Sequence, residues 1–64
     1  MNNETMRIKF DEYYIRFHKP NLQSISTEIG IDKSYLINWK NGKYDISTDN
    51  LKLIDKFINR YKTL

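Results

Sequence analysis

The sequence predicts an all-α fold: one compact domain over residues 1–64 with four helices, or five as the open alternative. The chain has only two glycines and one proline, too few turn-forming residues for an all-β domain. Four segments carry apolar residues at helical spacing, and residues that cap or break helices lie at their ends. A chain of 64 residues is the size of a single domain.

The first predicted helix runs from about Glu4 to His18 and has one apolar face. The residues of this face are Met6, Phe10, Tyr13, Tyr14 and Phe17. Ile8 and Ile15 lie on the opposite face of the same helix. Pro20 ends the helix, because the residue before a proline is disfavoured in the α region.

The second and third predicted helices are short and are joined by a tight turn. The second covers about 22–29, with Asn21 as its N-cap, and Gly30 suits the left-handed residue that ends a helix. Asp32 is a good N-cap for a third helix over about 33–41, and Gly42 is the left-handed candidate that ends it. Two helices on either side of so short a turn form a helix-turn-helix arrangement over about 21–42.

The fourth predicted helix runs from about Thr48 to Lys62 and is capped by Ser47 or Thr48. Its inner stripe consists of Leu51, Ile54, Phe57, Ile58 and Tyr61. Leu53 and Leu64 widen the apolar arc to roughly 160°, beyond the ~100° of one packed face. Two interpretations stay open, ordinary exposed leucines or a dimer or partner surface. The residues assigned to that surface are Leu53, Phe57, Tyr61, Leu64, Ile8 and Ile15.

Composition argues against an enzyme and against a metal site. There is no cysteine, and His18 is the only histidine, so disulfides and multi-histidine metal sites are excluded. Asp11 and Glu12 are neighbours in a helix and point about 100° apart, so they are not an acid–base pair. We expect no cofactor, no metal and no small-molecule ligand. No apolar run approaches the ~20 residues of a membrane span, so we expect a cytoplasmic protein without membrane contact.

Positive charge is concentrated in one segment. The net charge is +3, and residues 33–44 carry Lys33, Lys40 and Lys43 with no acidic residue. Uncompensated positive charge is typical of a phosphate-binding surface. A solvated helix face with lysines for solubility is the alternative.

The stretch from Leu22 to Leu53 resembles the Cro/repressor-type (XRE-like) helix-turn-helix family of phage repressors and related bacterial regulators. The resemblance is strongest in Ile29-Gly30-Ile31-Asp32-Lys33-Ser34-Tyr35-Leu36-Ile37-Asn38-Trp39-Lys40-Asn41-Gly42-Lys43. It implies a lambda-repressor-like fold whose third helix enters the major groove of DNA. The family often has glutamine first in its second helix, where this chain has Leu22, with Gln23 and Ser24 as substitutes.

The resemblance also implies roles for individual residues. The implied base contacts are Lys33, Ser34, Ile37 and Asn38. Their chemistry agrees, because lysine pairs with guanine, asparagine with adenine, serine with either, and isoleucine packs on the thymine methyl group. The implied backbone contacts are Gln23, Ser24, Tyr35, Lys40, Asn41 and Lys43. Two alternatives stay open: Ile37 at the edge of the core, and Tyr35 packed against Tyr44.

The function that follows is a sequence-specific, double-stranded DNA-binding transcriptional regulator. The resemblance implies a small repressor of a phage or other mobile element, in the bacterial cytoplasm and on the nucleoid when bound to DNA. A homodimer is expected, because one helix reads only a few base pairs. The alternative is a helix-turn-helix protein that binds a protein target, as an antirepressor or inhibitor of host machinery. Salt dependence separates the two functions, because binding to phosphates weakens steeply as salt rises.

Overall fold

The structure is a computed structural model that describes residues 2–62. Its elements are α1 (Asn3–Arg16), α2 (Leu22–Ile29), α3 (Lys33–Lys40) and α4 (Thr48–Lys62), and this range contains no strand. The predicted all-α, four-helix class is therefore confirmed. Among the described residues, no helix combines the length and apolar character needed to cross a bilayer. Leu64, one of the predicted surface residues, lies outside the described residues.

Helix α1 begins one residue before its predicted start and ends two residues before its predicted end. Asn2 is the N-cap, because its side-chain oxygen accepts a hydrogen bond from the Thr5 amide at 2.7 Å. At the other end, His18 and Lys19 have positive φ angles of 61° and 53°. Pro20 keeps Lys19 out of the right-handed α region, so the chain leaves the helix through left-handed backbone before the proline.

The turn between α2 and α3 is built as the sequence predicts. Gly30 has a φ of 93°, and its amide donates to the Ser26 carbonyl at 2.8 Å. Residues with a Cβ pay about 1–2 kcal/mol for this left-handed conformation, which explains the glycine. One carboxylate oxygen of Asp32 accepts from the amides of Ser34 at 2.9 Å and Tyr35 at 3.4 Å. The carboxylate thereby satisfies two of the amides that the start of α3 leaves without helical partners.

The core lies where α1 and α2 each pack against both α3 and α4. Its apolar members are Met6, Phe10, Ile25, Ile29, Leu36, Trp39, Ile46, Leu51, Ile54, Phe57 and Ile58. Ser26 is the buried polar residue, and its hydroxyl donates to the Gln23 carbonyl at 2.9 Å. A small side chain at this position lets α2 approach its neighbours closely.

Phe57 requires a correction to the predicted partner surface. Its side chain is 3% exposed, and its ring stands edge-on to that of Tyr13 with centroids 5.2 Å apart. It belongs to the inner stripe of α4, so in this fold it offers no surface to another molecule.

Candidate nucleic-acid interface

Helix α3 turns Leu36 and Trp39 into the core, and its opposite side faces outward. Lys33 and Ser34 are exposed in its first turn, while Ile37 and Asn38 are half-buried in its second. At 100° per residue, Ser34, Ile37 and Asn38 lie within about 100° of arc, with Lys33 about 40° beyond Ile37. The structure thus brings the four predicted base-contact residues onto one side of one helix.

The size of α3 suits the major groove. A helix with its side chains is about 10–12 Å across, so α3 fits into the major groove of B-DNA, which is about 12 Å wide. Ile37 is not one of the partly buried apolar side chains that pack against the core of the described residues. Its methyl groups are therefore available on the outer side, as a contact with a thymine methyl group requires.

The second group of predicted contacts lies at the start of α2. The side-chain oxygen of Asn21 accepts from the amides of Gln23 at 2.7 Å and Ser24 at 3.2 Å. These two amides are therefore already bonded within the chain, and only the side chains can reach a phosphate. Both side chains are exposed, and that of Gln23 donates to the Thr27 hydroxyl at 3.3 Å.

The third group follows the end of α3, where Asn41, Gly42 and Lys43 are exposed. The Lys43 amide donates to the Asn38 carbonyl at 2.9 Å, and the Gly42 amide donates to the Trp39 carbonyl at 3.0 Å. Gly42 has a φ of 82°, so this is the left-handed ending that the sequence predicts. The bond to Asn38 fixes the backbone of Lys43 beside the outer side of α3.

Lys40 lies elsewhere. Its ammonium is 3.4 Å from the Asp11 carboxylate and 4.7 Å from the centroid of the Tyr14 ring. Both partners belong to α1, so in this structure Lys40 ties α3 to α1 instead of extending outward with Lys43. Its predicted contact with the DNA backbone stays a prediction, and the structure shows the ammonium engaged within the chain.

Tyr35 adopts the second of its two predicted arrangements. Its ring packs on that of Tyr44 with centroids 5.5 Å apart, and the Tyr44 hydroxyl donates to the Tyr35 carbonyl at 3.3 Å. The Tyr35 hydroxyl accepts from the side-chain amide of Asn50 at 3.2 Å. Tyr35 thus links α3 to the start of α4.

Two residues of α1 hold α3 and the following loop in place, and sequence reasoning missed both. The Arg7 guanidinium donates to the carbonyls of Trp39 at 2.6 Å and Tyr44 at 2.5 Å, and to the Asp45 carboxylate at 3.0 Å. The Asn3 side chain accepts from the Trp39 indole at 2.9 Å and donates to the Ile46 carbonyl at 3.2 Å. The signal in the sequence was two polar residues four apart, in line with the apolar face of α1.

The remaining predicted surface residues are scattered. Leu53 is 41% exposed on α4, and Ile8 and Ile15 are exposed on the outer side of α1. Tyr61 is half-buried, and its hydroxyl donates to the Glu28 carboxylate at 2.7 Å. This bond raises the pKa of Tyr61 above its usual 10.0, so the hydroxyl keeps its proton and remains a donor to α2. The structure does not join these residues into one patch.

The region from 33 to 44 carries only basic charge, and Asp32 stands immediately before it. Within residues 2–62 no group of histidine, cysteine or acidic side chains could hold a metal ion. The surface therefore presents amide, hydroxyl, ammonium and methyl groups, the chemistry that reads base edges and binds phosphates.

A family model described as helix-turn-helix matches residues 21–63, about two thirds of the chain. The chain belongs to the Cro/C1-type helix-turn-helix family. No curated protein and no solved structure gives a significant match. This helix-turn-helix protein is a DNA-binding regulator, in a family that is generally non-enzymatic. The match covers α2, α3 and α4 and leaves α1 outside, so the contacts of Asn3 and Arg7 come from the unmatched part.

Proposed function

We propose that this protein is a sequence-specific repressor of a phage or other mobile element, which acts on double-stranded DNA in the bacterial cytoplasm and nucleoid. It reads the major groove with α3 and binds as a homodimer. The observation that carries the proposal is the outer side of α3, a row of polar groups and one aliphatic group without an acidic residue between 33 and 44. Repression follows if the bound dimer blocks polymerase from the promoter.

Base reading is assigned to the side chains on the outer side of α3. Asn38 presents an amide that can pair with both the acceptor and the donor of adenine, and Lys33 can donate to guanine. Ser34 adds a hydroxyl, and Ile37 packs against a thymine methyl group. These groups stand on a helix, which positions them more rigidly than a loop would.

Backbone contacts are assigned to the two ends of the motif. Gln23 and Ser24 reach one phosphate region from the start of α2, and Asn41 and Lys43 reach another from the end of α3. Contacts of this kind fix the register of α3 in the groove without reading sequence. Lys40 is left out of this set because it is paired with Asp11.

The size of the domain supports the proposed homodimer. Its extents are 29 × 23 × 18 Å, whereas half-sites one helical turn apart are separated by about 34 Å. One molecule is therefore too short to place recognition helices on two half-sites. Among the predicted surface residues, Leu53 is the exposed apolar group of α4 and the first candidate for the contact.

Selection of binding sites from a random duplex pool tests the proposed function. We expect enrichment of a palindrome whose half-sites lie one helical turn apart, or a multiple of that distance. Absence of any enriched sequence would contradict the proposal and favour a protein target instead.

Asn38→Ala and Lys43→Ala should affect binding to the selected site in different ways. Asn38→Ala is expected to cost about 1–3 kcal/mol on that site and to relax discrimination at one base position. Lys43→Ala is expected to weaken binding to all duplexes alike and to lower the salt slope by about two, one for each copy of the dimer. Fluorescence anisotropy on matched and mutated duplexes separates the two effects, and equal losses on every duplex for both variants would overturn the base-reading role of Asn38.

Asp32→Ser should strengthen DNA binding. The Asp32 carboxylate is exposed at the start of α3, where it caps the helix but repels phosphates. Serine caps a helix about as well as aspartate, so the unfolding free energy should change by less than about 0.5 kcal/mol. We expect roughly fivefold tighter binding at low salt, with the gain fading as salt screens the charge. Unchanged affinity at low salt would mean that Asp32 lies away from the DNA.

A further inference from the structure

The outer face of α1 combines apolar and acidic side chains in one row. The term 'outer face of α1' is used here for Glu4, Ile8, Asp11, Glu12 and Ile15. The two isoleucines are 57% and 67% exposed and are seven residues apart, so they stand in line two turns from each other. The acidic residues lie within about 60° of this line on either side.

The charge of the outer face is largely uncompensated. Among the described residues, Glu4 and Glu12 have no ion-pair partner, whereas Asp11 is paired with Lys40. Lys9 is bonded to Asp55 of α4 and does not neutralise them. Arg16 is exposed one turn after Glu12 and offsets part of its charge without an ion pair to it. A chain of net charge +3 thus carries a local acidic surface around two exposed isoleucines.

This face points away from the proposed DNA-binding side. The inward side of α3 meets α1 where the Trp39 and Phe10 rings pack edge to face with centroids 5.9 Å apart. Ile8 lies about 160° from Phe10 around α1, so it faces away from α3. Apart from Asp11, which is paired with Lys40 of α3, the outer face of α1 therefore stays free when α3 occupies the groove, and its acidic charge disfavours contact with DNA itself.

We propose that the outer face of α1 is a docking surface for a basic amphipathic helix of a partner protein. Charge complementarity carries this choice of occupant: lysines or arginines beside an apolar stripe would pair with Glu4 and Glu12 while the stripe covers Ile8 and Ile15. A second copy packed two-fold on the same face would instead bring the carboxylates of both copies together, which is unfavourable. The docking surface thus differs from the homodimer contact of the proposed function.

A titration of the full chain with synthetic helical peptides tests this inference. The probe is an amphipathic peptide of leucine and lysine, and its control is the same peptide with glutamate in place of lysine. We expect the lysine peptide to bind and the glutamate peptide not to bind. Ile8→Ser/Ile15→Ser should weaken binding about tenfold or more, because it removes the apolar contact. Leu53→Ser is the matched control on α4 and should leave binding unchanged.

The contribution of the acidic residues to peptide binding is tested with a separate variant. Glu4→Gln/Glu12→Gln should weaken binding several-fold at low salt and less at high salt. Equal binding of both peptides, or of the wild-type and Ile8→Ser/Ile15→Ser chains, would overturn the inference. Sedimentation gives a further test. If the free chain self-associates and Ile8→Ser/Ile15→Ser abolishes that association, the inference is overturned, because the occupant of the face is then a second copy. DNA affinity of the two α1 double variants should equal that of wild type, so loss of DNA binding by the wild-type chain would count against the proposed function alone.

Discussion

Trp39→Ala is expected to lower the free energy of unfolding by about 3–5 kcal/mol. The side chain is fully buried, stands edge-on to Phe10, and donates its indole N–H to Asn3 at 2.9 Å. A domain of 64 residues has roughly 3–10 kcal/mol in total, so the variant should lose between a third and all of its stability. Urea unfolding followed by far-ultraviolet circular dichroism measures the change without needing tryptophan fluorescence.

Trp39→Phe is the matched control for this prediction. It keeps an aromatic ring against Phe10 and removes the hydrogen bond to Asn3, so the cost should fall to about 1–2 kcal/mol. A folded Trp39→Ala chain with nearly wild-type stability would show that the core is not organised around this residue.

Arg7→Met is expected to destabilise the fold by about 2–3 kcal/mol and to weaken DNA binding as well. The guanidinium donates to Trp39, Tyr44 and Asp45, and it lies 5.6 Å from the centroid of the Trp39 ring. Methionine keeps much of the apolar stem but leaves the end of α3 and the following loop without their donors. The loop carries Lys43, so the salt slope of DNA binding should also fall.

Two controls separate the effect of the hydrogen bonds that Arg7 donates from the effect of its charge. Arg7→Lys keeps the charge but lacks the planar fork, so it should recover only part of the loss. Arg16→Met removes an exposed arginine of the same helix and should change stability by less than about 0.5 kcal/mol. Equal effects of Arg7→Met and Arg16→Met would show that the bonds to the end of α3 contribute nothing.

The helices were readable from the sequence because their signals are local. Capping by Asn21 and Asp32 and the left-handed Gly30 and Gly42 each involve neighbours within a few residues, and the bounds of α2 and α3 follow from them. The end of α1 was placed too late, because the proline acts on the preceding backbone and the turn already begins before Lys19.

The long-range contacts were not readable from the sequence. The bonds from Asn3 and Arg7 to α3 and the loop join residues more than thirty positions apart. The pairing of Lys40 with Asp11 is another contact between residues far apart in the sequence. The lysine stands at a position typical of a phosphate contact, but α1 supplies a closer partner. The outer side of α3 was predictable, because helical periodicity alone separates it from Leu36 and Trp39.

The salt dependence of the affinity for a selected duplex tests most directly whether the outer side of α3 binds DNA. For a dimer in which Lys43 of each copy contacts a phosphate, we expect the logarithm of the association constant to fall with the logarithm of salt at a slope of about −2. At physiological salt, the selected duplex should bind at least about a thousandfold more tightly than a scrambled one. A slope near zero, or equal affinity for both duplexes, would contradict DNA reading by this helix.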